Sequence, residues 1–300
     1  PVREIAIDGA EMADVLDPDD AARARFDAGA ATASARREVD VREARLAAAT
    51  TDGLTIELLA NIGTPEESAG AVELGAHGVG LFRTEFLFLD SSRAPSVEEQ
   101  RAKYTALLAA FPRKKVVIRA LDAGADKPLS FLNDEPEENP ALGLRGLRAL
   151  RAHETILRDQ LTAISLAAAA TEADAGVMAP MVSTVEETRY FSRIAKEAGL
   201  KTAGVMVEVP SSALLADRIL AEADFASIGT NDLTQYTLAA DRLLGSVAAF
   251  QDPWHPAVLR LVGEVGRAGR ALDKPVGICG EAAADPLLAV VLVGLGATSL

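Results

Sequence analysis

The strongest constraint on the fold is an alternation between short apolar β-type runs and longer helical patterns. It begins near Asp52-Gly53 and continues to the last residue, and such alternation is typical of βα units in a parallel sheet. Helices cover both faces of a parallel sheet, so its strands read as continuous apolar runs. Eight runs fit this description: residues 56–60, 78–82, 116–120, 177–182, 204–209, 225–228, 276–279 and 298–300.

Eight strands within residues 53–300 predict an α/β fold, a (β/α)₈ TIM-type barrel, because about 250 residues is the usual size of that fold. The eighth run coincides with the last residues, so we expect the barrel to lack its last helix. A doubly wound open sheet is the alternative, and periodicity alone does not separate the two. Polar residues follow most of the runs, which favours a barrel, because its strand ends converge on one face.

The residues before the barrel predict a different structure. Residues 1–17 alternate in character around Asp8-Gly9 and predict a short hairpin. A helix start signal follows at Asp17-Pro18, and an Ala- and Arg-rich stretch without proline continues to about residue 49. We therefore expect a long helical arm in front of the barrel.

Composition excludes several classes of function. The 30 Lys and Arg residues against 44 Asp and Glu give a net charge of −14, which repels nucleic acids and anionic membranes. No apolar run reaches the roughly 18 residues that span a bilayer. The single cysteine, Cys279, cannot form an internal disulfide, which is typical of a reducing cytosol. We expect a cytoplasmic protein without nucleic-acid or membrane partners, whose phosphate-bearing ligands need a local basic cluster.

Four arginines are candidates for that cluster: Arg83, Arg119, Arg145 and Arg242. The first two directly follow β-type runs, where a charge is costly unless it is paired or solvated. Guanidinium groups bind carboxylates and phosphates in a bidentate way, so converging arginines suit an anionic ligand. Ion pairs at the barrel rim are the alternative. Lys127, in a glycine-containing loop, is a weaker candidate for phosphate binding.

Two carboxylates and the thiol complete the candidate site. Glu208 and Asp232 end or follow neighbouring runs and can supply oxygen ligands to Mg²⁺, although helix capping is the alternative role. Cys279 lies between Gly277 and Gly280, which permit a ligand to approach closely. It is either a proton donor or nucleophile, or a small buried apolar residue.

Six motifs follow one another along residues 54–300: Gly80-Leu-Phe-Arg83-Thr-Glu85-Phe-Leu-Phe88, Val117-Ile-Arg119-Ala-Leu-Asp122, Glu138-Asn-Pro-Ala-Leu-Gly-Leu-Arg145, Val205-Met-Val-Glu208-Val-Pro210, Ser227-Ile-Gly-Thr-Asn231-Asp232-Leu-Thr-Gln-Tyr236 and Cys279-Gly-Glu281. Together they closely resemble the phosphoenolpyruvate-binding domain of enzyme I of the bacterial sugar phosphotransferase system.

The resemblance implies a role for each candidate residue. The four arginines would hold the phosphate and carboxylate of phosphoenolpyruvate, with Lys127 as a further phosphate ligand. Glu208 and Asp232 would bind Mg²⁺, and Asn231 would hydrogen-bond the substrate. Cys279 would protonate the enolate to give pyruvate.

The resemblance also implies domains and partners. Residues 1–17 resemble the last hairpin of a phosphohistidine swivelling domain, residues 18–52 the helical linker, and residues 53–300 the phosphoenolpyruvate-binding barrel. In the family, the phosphoryl group passes to a histidine of the swivelling domain, absent here, and then to the histidine-containing phosphocarrier protein. The full-length family enzyme is a homodimer and starts sugar transport.

Two other functions fit the same residues. A pyruvate, phosphate dikinase or phosphoenolpyruvate synthase barrel shares the arginine, metal and cysteine pattern, but Phe86-Leu-Phe88 favours enzyme I. A non-catalytic module that senses the ligand and controls dimerisation is the second alternative.

Overall fold

The computed structural model describes residues 3–8, 13–44, 46, 48–89, 93–124, 129, 131–132 and 137–300. The chain divides into two compact units, Pro1–Leu46 and Ala47–Leu300. In the part of the chain that is described, no helix is long and apolar enough to cross a membrane.

The first unit contains a hairpin and one long helix. Strands β1 (Ile5–Asp8) and β2 (Ala13–Leu16) pair antiparallel. Helix α1 (Asp20–Glu43) is capped by the Asp19 side chain, which accepts a hydrogen bond from the Ala22 N–H at 2.8 Å. No residue of α1 is buried, so its alanine-rich composition, rather than packing within this unit, favours the helix. The helix ends six residues before the predicted boundary at residue 49.

The second unit is built on seven parallel strands, each hydrogen-bonded to the next in sequence. The strands are β3 (Leu59–Ile62), β4 (Gly78–Phe82), β5 (Lys115–Arg119), β6 (Asp174–Ala179), β7 (Thr202–Val207), β8 (Ala226–Gly229) and β9 (Val276–Cys279).

The last three residues of the chain join the two edges of this sheet. Ser299 bridges Gly277 of β9 on one side and Glu57, just before β3, on the other. The Leu300 N–H donates to the Glu57 carbonyl at 2.9 Å, and the Ile278 N–H donates to the Ser299 carbonyl at 3.0 Å. The predicted α/β barrel is therefore confirmed, with the eighth predicted strand present as a pair of bridges.

Helices separate successive strands and cover the outside of the barrel. They are α2 (Ser68–Glu73), α3 (Val97–Ala109), α4 (Leu147–Ala152), α5 (Glu154–Ala169), α6 (Val185–Glu197), α7 (Pro210–Leu214), α8 (Ala216–Glu222), α9 (Thr230–Leu238), α10 (Pro256–Leu272) and α11 (Pro286–Leu295). Helix α9 begins directly after β8, and a 3₁₀ turn, Glu281–Ala284, follows β9 after one residue. These short connections place polar residues at the strand ends.

Two groups of buried apolar residues form the core. The larger lies between the strands and the helices and includes Phe82 and Tyr104, whose rings pack edge to face with centroids 6.3 Å apart. The smaller fills the barrel and consists of Leu81, Val117, Met178, Met206, Phe225 and Cys279. A methyl group at Gly204 would lie 2.5 Å from the Phe225 ring, so the interior admits that ring only because position 204 has no side chain.

Candidate active site

The carboxyl ends of the strands bring buried charged side chains together at one end of the barrel. Arg119 is the last residue of β5, and Glu208 follows β7 directly. Asp232 lies in the first turn of α9, after β8, and Cys279 is the last residue of β9. All four side chains are buried, so any charge among them needs a partner.

The arginines and carboxylates form a continuous buried network. Arg119 is hydrogen-bonded to Glu85, and its Nη1 lies 3.4 Å from Asp122 Oδ2. The same Asp122 oxygen accepts from Arg145 Nη2 at 2.9 Å, and Arg145 Nη1 donates to Asp232 Oδ1 at 3.1 Å. Three carboxylates therefore hold two guanidinium groups in fixed positions.

This network also fixes the charge of the arginines. Burial disfavours the charged guanidinium and acts to lower the pKa of both Arg119 and Arg145. The adjacent carboxylates outweigh burial and raise the pKa of both groups, chiefly Glu85 for Arg119 and Asp122 for Arg145. Both side chains are permanent cations at the mouth of the barrel.

Local backbone contacts explain how these arginines are positioned. The buried Thr84 hydroxyl donates to the Arg119 carbonyl at 3.1 Å and joins the ends of β4 and β5. Gly146, next to Arg145, has a φ of 56°. A methyl group at Gly146 would lie 2.8 Å from Met181 Cβ, so only glycine fits between the arginine and this neighbour.

Arg242 occupies the more open side of the same network. Its Nη2 lies 3.7 Å from Asp232 Oδ2, and 30% of its side chain is exposed. It lines a cavity of about 550 Å³ together with Arg145 and Tyr236. It also lines a second cavity of about 360 Å³ with Asn231. Arg242 is therefore the cation of this group that a ligand reaches most easily.

Arg83, another predicted cation, is not joined to the network by any described ion pair. Arg83 is exposed, and its guanidinium lies 5.9 Å above the Phe86 ring. Among the described side chains, none of the ion pairs includes Arg83. Lys127 lies outside the described residues.

Glu208 has one carboxylate oxygen that the protein leaves free. Its Oε1 accepts from the Met181 N–H at 2.7 Å, while its buried Oε2 has no hydrogen-bond partner among the described residues. Burial, reinforced by the negative charges of Asp232 and Asp122, raises the pKa of Glu208 to about 8. A cation beside Oε2 would remove the cost of ionising this carboxyl group.

The described residues contain no ready-made metal cluster of three or more His, Cys, Asp or Glu side chains. Glu208 and Asp232 nevertheless fit the donor set of Mg²⁺, which usually takes one or two carboxylates and completes its shell with phosphate and water. The orphaned Glu208 Oε2 is the structural observation that supports this fit.

Cys279 is 2% exposed and lies against a hydroxyl group. The Ser227 hydroxyl donates to Cys279 Sγ at 3.2 Å, and the thiol donates to the Ile228 carbonyl at 3.5 Å. Burial raises the pKa of the thiol to about 11. Cys279 is therefore a protonated thiol at neutral pH, which suits a proton donor better than a nucleophile.

Asn231 lies beside the thiol-bearing loop. Its Oδ1 accepts from the Glu281 N–H at 3.2 Å, which connects α9 to the end of β9. Gly280, between Cys279 and Glu281, has a φ of 107°, and a methyl group there would lie 2.6 Å from Thr230 Oγ1. Gly280 therefore lets the end of β9, which carries Cys279, pack closely against the start of α9, which carries Asn231.

The structure thus joins Arg119, Arg145, Asp232 and Arg242 in one network of ion pairs. Glu208 lies close enough to this network for the charges of Asp232, Asp122 and Arg119 to shift its pKa. The predicted site did not include four residues that contact these groups: Glu85, Asp122, Ser227 and Tyr236. The two carboxylates were detectable, because each follows a strand within a quoted motif. The two hydroxyl-bearing residues begin and end another quoted motif, but nothing in that motif indicates which groups they contact.

A family model described as PEP-utilising enzyme, PEP-binding domain, matches residues 37–300. The phosphoenolpyruvate-protein phosphotransferase of Streptomyces coelicolor is 52% identical over 298 residues, which cover 99% of this chain and 53% of that protein. The protein of the same name from Haloferax volcanii is 43% identical, with 99% of this chain and 53% of that protein covered. The chain spans about half the length of these curated relatives.

Among solved structures, a HpcH/Hpal aldolase/citrate lyase family protein from Burkholderia cenocepacia J2315 superimposes with a TM-score of 0.50. The two sequences are 15% identical, and the match covers 86% of this chain and 90% of that one. At this identity the likeness concerns the fold alone.

Proposed function

Because the chain belongs to the family of PEP-binding domains of PEP-utilising enzymes, we propose that the mouth of its barrel binds phosphoenolpyruvate. Within a longer protein, this domain would donate the phosphoryl group of phosphoenolpyruvate to a protein histidine and release pyruvate. The observation that carries the proposal is the convergence of Arg119, Arg145 and Arg242 beside the orphaned Oε2 of Glu208.

The arginines suit a ligand that carries both a phosphate and a carboxylate. Arg119 and Arg145 are buried and held by carboxylates, so they offer preorganised positive charge in a site of low polarity. Arg242 is partly exposed and lines both cavities, which makes it the first cation that an entering anion meets. Arg83 and Lys127 are proposed as further ligands on the strength of their motifs alone.

Glu208 and Asp232 are the proposed ligands of Mg²⁺. Glu208 would contribute its free Oε2, and Asp232 would contribute a carboxylate that now faces Arg145 and Arg242. When bound, the ion supplies positive charge beside the phosphate. The protein's own residues position the substrate: the arginines orient the anion, and Asn231 donates a hydrogen bond to it.

Cys279 is the proposed acid that completes the reaction. Loss of the phosphoryl group leaves the enolate of pyruvate, which needs a proton on its methylene carbon. The thiol holds that proton, because burial raises its pKa to about 11. It is also at the carboxyl end of β9, the same face as the arginines.

The proposal extends to the setting of the whole protein. The relatives named phosphoenolpyruvate-protein phosphotransferase support a protein as the phosphoryl acceptor. The acceptor that we propose is a histidine-bearing domain, and the next partner is a histidine-containing phosphocarrier protein, as the resemblance of the motifs implies. Residues 1–17 and 18–52 would then be the end of the acceptor domain and the linker. We place the full-length protein in the cytoplasm as a homodimer that starts sugar transport.

Isothermal titration calorimetry with phosphoenolpyruvate, with and without Mg²⁺, tests the binding proposal. We expect one site whose affinity increases with the metal. Arg242→Ala should weaken binding by about 1.5–3 kcal/mol, the worth of a hydrogen bond to a charged group. Arg189→Ala, which breaks an exposed ion pair with Glu222 on the outer helices, is the matched control and should bind normally. Unaltered affinity in Arg242→Ala would remove this residue from the site.

A further inference from the structure

The interior of the barrel below Cys279 contains polar groups that the proposed function does not use. Ser227 is buried and donates a hydrogen bond to Cys279 Sγ at 3.2 Å. Ser299, also buried, bridges β9 and the segment before β3. Both serines line a cavity of about 20 Å³. One water molecule needs about 10–15 Å³ of such space, so this cavity has room for one.

The hydroxyl groups of Ser227 and Ser299 both lie on the open side of Gly277. A methyl group at Gly277 would lie 2.8 Å from Ser299 Oγ and 3.9 Å from Ser227 Oγ. Both hydroxyls therefore border the open space beside Gly277, and all three residues line the same cavity. The sequence prediction assigned Gly277 only to ligand approach at the mouth, but its open side faces into the barrel.

The cavity leads away from the mouth to the opposite end of the barrel. Lys115 also lines it and is the first residue of β5, whereas Arg119 at the mouth is the last. Lys115 Nζ pairs with Glu57 Oε2 at 3.2 Å, and 26% and 47% of the two side chains are exposed. Solvent at the amino-terminal end thus reaches the polar lining of the cavity.

We propose that Ser227 and Ser299, with one water molecule between them, form a proton relay that reprotonates Cys279 from the amino-terminal end of the barrel. The proposal rests on the proposed function, in which Cys279 is the acid. It assigns Ser227 and Ser299 as positioning and relay residues that do not touch the substrate.

The relay solves a problem of access. Cys279 is 2% exposed, and a ligand bound at the mouth would lie between the thiol and solvent. The thiolate left after proton donation is a strong base, since burial raises the pKa of the thiol to about 11, with Glu208 and Asp232 adding to this and Ser227 and Arg119 opposing it. The Ser227 O–H already points at the sulfur, so it is oriented to return a proton.

Each step of the relay is balanced. The S–H bond breaks as the C–H bond forms on the enolate carbon, which leaves pyruvate and the thiolate. The Ser227 O–H bond then breaks as a new S–H bond forms, and the bridging water gives a proton to the Ser227 oxygen. The water regains a proton from the Ser299 hydroxyl, whose O–H bond breaks, and the Ser299 oxygen takes a proton from solvent. One proton moves from solvent to sulfur, without any oxidant or reductant.

Exchange of the methyl hydrogens of pyruvate in D₂O, followed by proton NMR in the presence of Mg²⁺, tests the relay. Exchange requires hydrogen transfer between the methyl carbon and Sγ, and then replacement of the thiol hydrogen by solvent deuterium. We expect Ser227→Ala and Ser299→Ala each to slow exchange about tenfold or more, as the loss of a positioned proton-transfer group does. Ser192→Ala, which removes a buried hydroxyl bonded to the Glu222 carbonyl on the outer layer, is the control and should exchange at the parent rate.

An isotope effect separates a relay from a purely structural role. When replacement of the thiol hydrogen limits exchange, cleavage of the C–H bond is no longer rate-limiting. The primary isotope effect should then fall towards one in both serine variants. It is measured by comparing CH₃-pyruvate with CD₃-pyruvate in an equal mixture of H₂O and D₂O, in which exchange of both is observable. Pyruvate affinity and thermal midpoint should stay close to those of the parent.

The outcomes are distinguishable. Parent-like exchange in either Ser227→Ala or Ser299→Ala would overturn the relay while leaving Cys279 as the acid. An undiminished isotope effect in a slowed variant would also overturn it, since the serine would then act on the C–H step. Undiminished exchange in Cys279→Ala would overturn the proposed function, and the relay with it.

Discussion

The variant Glu208→Gln tests the ionisation of a buried carboxyl group, one of whose two oxygens has no described hydrogen-bond partner. Glutamine keeps the shape of the side chain and can still accept the hydrogen bond from the Met181 N–H through its amide oxygen. It removes only the titration and the charge. Because the pKa of Glu208 is raised from 4.5 to about 8, the folded protein holds a proton that the unfolded chain has already lost at neutral pH.

The sign and size of the effect follow from linkage. A group whose pKa is raised on folding contributes stability that is complete below the unfolded pKa and is lost as the pH rises towards the folded one. For a shift from 4.5 to about 8, the loss between about pH 5 and pH 8 is on the order of 3–4 kcal/mol. This is a large part of the roughly 5–15 kcal/mol that stabilises a typical protein.

The assay is urea unfolding followed by circular dichroism across this pH range, in buffer with a chelator so that no metal binds. We expect the parent to lose stability relative to Glu208→Gln as the pH rises, with the two nearly equal at about pH 5 and the variant more stable at about pH 8.

Glu222→Gln is the control for this comparison. Its carboxyl group is partly exposed and bonded to Arg189, which lowers its pKa. It therefore titrates below this range, and the difference in stability between Glu222→Gln and the parent should not change with pH. Parallel curves for the parent and Glu208→Gln from about pH 5 to pH 8 would refute the reasoning that burial among carboxylates keeps Glu208 protonated.

Three further results are expected. Cys279 should react with iodoacetamide slowly at about pH 8 in the folded protein and rapidly in urea, since burial raises the thiol pKa to about 11; equal rates would show an accessible thiolate. Gly204→Ala should destabilise the barrel by about 1–3 kcal/mol, because the methyl group would meet the Phe225 ring; the double variant with Phe225→Leu should recover part of this loss in urea unfolding. Gly146→Ala should cost about 1 kcal/mol or more, since it combines a φ of 56° with a clash against Met181, and an unchanged unfolding midpoint would contradict this.

The barrel was predictable because buried parallel strands must be apolar on both faces, and this requirement marks each of them in the sequence. Strands β4 and β9 have the predicted boundaries. Strand β6 spans Asp174–Ala179, three residues earlier than predicted, because the apolar residues after Ala179 read as strand. Met181 has a φ of 56°, so the chain turns there, directly after Pro180, which is the sequence signal that the strand has ended.

The site was predictable as a set of residue types but not as a set of contacts. Polar residues at strand ends indicated which side chains would meet. The partners of Arg145 could not be inferred, because Asp122 and Asp232 lie 23 and 87 residues away in sequence. The sequence therefore does not decide between the two interpretations of the arginines, anion binding and ion pairing. Arg119 and Arg145 do form ion pairs, and these pairs are buried within the barrel mouth.

Ion pairing of the arginines is compatible with ligand binding, because Arg145 and Arg242 share one carboxylate, that of Asp232. Its Oδ1 lies 3.1 Å from Arg145, and its Oδ2 lies 3.7 Å from Arg242. If Asp232 turned towards a cation beside Glu208, its contacts with both arginines would weaken and more of their positive charge would be available to an anion, although Arg145 would keep its bond to Asp122. An anion that binds those arginines, in turn, frees Asp232 for the cation. A metal ion and an anion at the proposed site would then stabilise each other's binding through one side chain, and by linkage each would raise the affinity for the other by the same factor.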